Sequence, residues 1–295
     1  MRHQFTGLDD FSGASKNTAK WGDPLIEGSG LLSMSGDGVV RYTSSGGPVL
    51  DRFMAWPWII GNAPFNRNWR AQADVNVPII PLPAGNSAIG MGIAVLNSAD
   101  PEDNFTSSLE NFRTGGNPIQ AHHFFSSFDI NGDGEEEIFA TASGGSAAVR
   151  LSWDAGTQTL TASFDADGAI GGYVWTPFRS VQPALPVNWD MNGSETFQLA
   201  IFGYSEETDA VLADNLFIDN FYLMDQSNPV LDITRNGNQV NLCWSRLALG
   251  YALKSSATLN ADWSPVPGSP TMDGDKFMLS LPLAAEPPQF FRLEK

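Results

Sequence analysis

Ala148-Val149-Arg150-Leu151-Ser152-Trp153-Asp154-Ala155-Gly156-Thr157-Gln158-Thr159-Leu160-Thr161-Ala162-Ser163-Phe164 alternates by polarity twice, with a break between the two runs. Val149, Leu151 and Trp153 face one way, and Leu160, Ala162 and Phe164 do so on the return. Successive residues of a strand point to opposite faces, so a period of two marks two half-buried strands. Asp154 to Thr157 supplies the turn between them. This is the clearest hairpin in the chain, and it sets an all-β reading for everything around it.

The same periodicity recurs on both sides. From Trp69 to Val77, Trp69, Ala71, Ala73, Val75 and Val77 share one face, while Arg70, Gln72, Asp74 and Asn76 share the other. Ile89 to Leu96 is a nearly continuous apolar run of strand length. Phe105 to Arg113 and Ile119 to Phe128 read as polar-aromatic strands, and Phe197 to Gly203 and Leu216 to Leu223 as two more. Near the start, residues 9–13, Trp21 and residues 30–34 read as a strand, a loop and a second strand. Helical periodicity is scarce. At Asp225-Gln226-Ser227-Asn228-Pro229 the composition shifts to that of a linker. Beyond it short strands recur from Val230 to Leu293, so two domains are expected, residues 1–226 and 227–295, the second a small β-sandwich-like unit.

Composition narrows the function classes. With 33 acidic against 16 basic residues the formal charge is −17 over 295 residues. That balance repels phosphate backbones and anionic membranes, so nucleic acid is not an expected partner. Gly 29, Pro 19 and 11% aromatic residues suit many turns around an aromatic core. The single cysteine, Cys243, permits no intramolecular disulfide and reads as a small buried residue. No apolar run approaches the roughly 20 residues of a membrane span, so no membrane insertion is expected. The start, Met1-Arg2-His3-Gln4-Phe5, lacks the apolar core of a signal peptide.

The order of these pieces resembles the concanavalin A-like lectin/glucanase superfamily of laminin-G-like jelly rolls. The resemblance lies in Leu8-Asp9-Asp10-Phe11-Ser12 with Trp21, in Leu151-Ser152-Trp153-Asp154 to Thr161, and in the closing Leu216-Phe217-Ile218-Asp219-Asn220-Phe221-Tyr222-Leu223. The tail, with Asn238 to Trp244, Gly250 to Ser256, Trp263 to Val266 and Gln289 to Leu293, is similar to a small β module that ends many secreted bacterial proteins. The two resemblances imply a jelly-roll sandwich followed by a spacer or attachment module, in an exported, secreted or cell-surface bacterial protein whose leader has been removed. The resemblance supports a fold more than an activity; the expected function is a non-catalytic protein that binds a polysaccharide or other glycan, or interacts with a surface. A glycoside hydrolase or polysaccharide lyase is one alternative, and a structural or adhesion spacer without a small ligand is another.

The run with the most chemical spacing is Asp129-Ile130-Asn131-Gly132-Asp133-Gly134-Glu135-Glu136-Glu137. Side chains of Asp129, Asn131, Asp133 and Glu137, with the carbonyl of Glu135, can surround calcium, and glycine at the sixth place permits the sharp turn. The twelfth place is Ala140, where an EF-hand has a bidentate Glu. A polar hairpin turn accounts for the same residues, since Asn-Gly and Asp-Gly are preferred turn pairs. A catalytic reading needs Asp133, Glu135 and Glu137 on one strand face, but their order reverses the Glu-x-Asp-x-Glu of laminarinase-type enzymes. Asp219 stands where some jelly-roll relatives hold a structural calcium. For a sugar ligand the candidates are the rings of Trp56 and Trp58 in Trp56-Pro57-Trp58, where proline interrupts the strand pattern and a ring is expected in a loop, with Glu110, Asn111, Arg113 and His122 on the middle strands. Packing in the core, or a solvated sheet face, explains these residues as well. His122 and His123 are adjacent in a strand and cannot chelate one ion together.

Overall fold

The structure, a computed structural model, describes residues 7–45, 51–83, 87–101, 103–113, 121–129, 136–168, 173–182, 189, 196–206, 211–225, 231–245, 251–258, 263–273, 276–282 and 289–294. These residues form strands and no helix. The chain divides into two compact units, Met1–Asp225 and Gln226–Lys295.

The first unit contains β1 (Gly7–Asp9), β2 (Leu25–Glu27), β3 (Leu31–Met34), β4 (Val40–Ser44), β5 (Asp51–Pro57), β6 (Trp69–Asn76), β7 (Ser87–Asn97) and β8 (Asn104–Arg113). It continues with β9 (Ala121–Asp129), β10 (Glu136–Thr141), β11 (Ser146–Asp154), β12 (Thr159–Asp165), β13 (Thr176–Val181), β14 (Phe197–Glu206) and β15 (Val211–Asp225). Two antiparallel sheets result. The back sheet runs β13-β12-β11-β6-β15-β4-β3, with β1 paired to β15; the front sheet runs β10-β9-β8-β7-β14-β5-β2. The chain changes sheets at β1 to β2, β2 to β3, β4 to β5, β5 to β6, β6 to β7, β10 to β11, β13 to β14 and β14 to β15. Repeated crossing between the two layers, with β7 to β10 and β11 to β13 as the longer runs that stay in one sheet, is the jelly-roll form of a sandwich.

Period-two alternation explains what lies between the layers. Ala71, Ala73, Val75, Leu151 and Trp153 point inward from the back sheet, and Ile89, Met91, Ile93, Val95, Leu199 and Ile201 from the front sheet, in one apolar cluster. The opening segment is pinned to it by Asp9, which is 7% exposed. Asp9 accepts from Trp21 Nε1 at 2.8 Å and from the Phe11 amide at 3.0 Å, so its burial is matched by hydrogen bonds. Phe11 takes φ +50° in doing so.

Several local expectations need correction. The β11–β12 turn is residues 155–158, one residue later than the polarity pattern gives. Asp154 stays paired with Thr159 while its carboxylate accepts from the amides of Gly156 and Thr157. Trp56 and Trp58 do not stand in a loop. Trp56 lies within β5 and Trp58 bridges Trp21, and the two rings are 4% and 0% exposed on the inner face. Trp58 packs against Trp21 and Phe221 at 5.0 to 5.4 Å between ring centroids, so no ring face is left for a ligand. Strands β2, β5 and β13 carry no clean polarity alternation.

The second unit contains β16 (Leu231–Asn236), β17 (Gln239–Ser245), β18 (Ala252–Ser256), β19 (Ser264–Pro265), β20 (Thr271–Asp273), β21 (Lys276–Pro282) and β22 (Phe290–Glu294). Its sheets run β16-β17-β21-β20 and β19-β18-β22. They share a small core around Leu242, Trp244, Leu253 and Leu279.

Candidate functional site

The outer face of the front sheet carries a depression of about 860 Å³, lined by residues from all seven of its strands and from the β7–β8 connection. Its floor follows from the pattern of β7. The inner residues of that strand are large, Ile89, Met91, Ile93 and Val95, and the outer ones are Ala88, Gly90, Gly92 and Ala94, followed by Leu96 at the strand's end. Alternation here is by size rather than polarity, so β7 is buried along its whole length and offers almost no side chain outward.

Register fixes what flanks this strip. One row crosses the sheet as Glu27, Phe53, Tyr204, Gly90, Glu110 and His123. The next runs Leu25, Ala55, Phe202, Gly92, Ser108, Phe125 and Phe139. A Cβ at position 90 would lie 2.4 Å from Tyr204 Cε1 and 3.0 Å from its hydroxyl oxygen. Glycine therefore lets the Tyr204 ring lie across β7 and donate a hydrogen bond to the Glu110 carboxylate. Burial, followed by the charge of Glu110, drives the Tyr204 hydroxyl well above the usual tyrosine range, so it remains a donor. Glu110 itself is 2% exposed.

Two aromatic groups border the strip. Phe53, Phe202 and Tyr204 lie on one side, with centroids 5.8 and 6.1 Å apart in sequence. On the other, Phe139 stands 5.8 Å from Phe112, 5.2 Å from Phe125 and 5.9 Å from His123. Burial, then the neighbouring His122, lowers the pKa of His123, which keeps its ring neutral at neutral pH. Glu27, Glu206, Asp129 and Glu137 complete the lining.

Of the residues singled out for a sugar, only Glu110 reaches this face. Asn111, Arg113 and His122 belong to a different task. Asn111 Nδ2 donates to the Ile80 carbonyl at 3.2 Å, Arg113 Nη1 to Leu82 at 2.8 Å and His122 Nε2 to Val77 at 2.6 Å. Together they hold the segment that follows β6, and their side chains are committed to backbone. The neighbour, His123, is the histidine on the outer face. Tyr204, Phe202 and Phe53 were not anticipated; the even-numbered small residues of β7 were the available signal.

Asn131, Asp133 and Glu135 lie outside the described residues. Asp129 ends β9 and Glu137 stands near the start of β10, paired in register with Ser127, and both line the depression. On the back sheet Asp219 lies directly across from Asp74. Asn220, at φ +49°, donates through Nδ2 to Asp74 at 2.9 Å and to Asp219 at 3.3 Å, and Tyr173 donates to Asp74 at 3.0 Å. Burial and the charges of Asp74 and Asp10 push Asp219 up to about 6, against a smaller opposing effect of the Asn220 amide. Among the described residues no group of three or more His, Cys, Asp or Glu side chains is arranged to hold an ion.

No protein-family model and no curated protein matches the chain. Among solved structures it is similar to a glycoside hydrolase family protein from Mycobacterium thermorestibile, with TM-score 0.46, 13% identity, and coverage of 74% of this chain and 99% of that one. It is also similar to winged bean acidic lectin complexed with methyl-α-D-galactose, with TM-score 0.45, 13% identity, and coverage of 74% and 97%. A third is an immunostimulatory antigen and pseudo β-1,3-glucanase of Mycobacterium tuberculosis, with TM-score 0.43, 11% identity, and coverage of 75% and 98%. Likeness this distant assigns neither activity nor ligand; the jelly-roll form stands on strand order.

Proposed function

We propose that the first unit is a non-catalytic glycan-binding domain whose ligand lies along the trough on the outer face of the front sheet. The observation that carries this reading is the small-residue strip of β7 between two aromatic groups, with the Glu110–Tyr204 pair beside it. Sugar rings have apolar C–H faces that stack on aromatic side chains and hydroxyls that need buried polar partners. A trough with both matches that chemistry, and a plain spacer needs neither. Cleavage of a glycosidic bond calls for two carboxylates flanking the bond. Glu110 has Gly90 on one side and His123 on the other, so no second carboxylate faces it across a neighbouring strand. Screening on a glycan array, with an assay for reducing-sugar release on every ligand found, tests the reading. Binding without release, weakened in Tyr204→Phe and Glu110→Gln, is the expected result. Release of reducing ends would convert the domain into a hydrolase, and absence of any glycan ligand would remove the proposal.

The same reading includes export to the cell surface and calcium in the loop from Asp129 to Glu137. Asp129 and Glu137 are hard oxygen donors brought to the two ends of one hairpin, which suits that ion. Thermal melting against calcium is the test. A rise in melting temperature that disappears in Asp129→Ala with Asp133→Ala supports the ion, and no calcium-dependent change rejects it.

A further inference from the structure

We draw no further inference here: the strongest candidate, the side-chain cluster on the outer face of the back sheet where Trp175 stacks on Tyr173 and on the guanidinium of Arg150 beside Gln72, carries nothing, because its two buried donors without a partner among the described residues, Arg150 Nε and Gln72 Nε2, do not fix what acceptor would meet them.

Discussion

A methyl group at position 90 would collide with the ring of Tyr204, and that single contact couples backbone to site. Gly90→Ala should swing the ring off β7, separate its hydroxyl from Glu110 and weaken glycan binding, at a stability cost of about 1–3 kcal/mol. Thermal melting together with glycan titration checks both halves. Asp219 offers a separate test through protons. Its folded-state pKa, raised to about 6 from 3.8, means that the folded form holds the proton more tightly than the unfolded form. Stability from this group is gained as pH falls from neutrality through about 6 toward 4, and lost as pH rises through about 6. In chelator, Asp219→Asn should raise the melting temperature near neutrality and flatten its pH dependence in that window. If calcium occupies Asp219 as well, added calcium should reverse the sign of this effect near neutrality.

At the scale of single elements, β7 and β14 occupy the middle of the front sheet, and β7 is covered on both faces. Their amides should exchange with deuterium last, and those of the edge strands β2 and β10 first. His122→Ala should loosen the segment after β6, where its ring holds the Val77 carbonyl, visible as faster exchange there with little change at β9 itself. What could be read from sequence follows the same physics. The β11–β12 hairpin was legible because one face is apolar and the other solvated, so polarity tracks geometry. Strand β5 was not, because Phe53 and Ala55 pack on the outer face while Met54 and Trp56 pack on the inner one. With apolar residues on both faces, nothing in the pattern separates a strand from a loop, and Pro57 favoured the loop. The site was partly legible for a related reason. Glu110 is a carboxylate in an aromatic strand and invites attention, whereas Tyr204 reaches it only through register and a glycine two strands from β5. His122 and His123 show how narrow the margin is: one step along β9 turns an outward-facing ring into a backbone clamp.

The whole molecule joins two units with separate cores. That of the second unit rests on Leu242, Trp244, Leu253 and Leu279, a small set in which the indole is the largest member. Trp244→Ala should destabilise this unit by about 3–5 kcal/mol, as seen by loss of its slow-exchanging amides, with glycan affinity of the first unit retained. A net charge of −17 places the whole chain in the acidic class, and five of its acids line the trough of the front sheet. Along Ala88, Gly90, Gly92 and Ala94 the strand's own side chains are minimal, and Tyr204 and Ser108 close over the two glycines. Residues already this small leave substitution almost one direction, toward bulk. Variation on this strip can fill the trough and shorten the list of ligands it admits, but it has little left to remove, so new breadth would have to come from the walls.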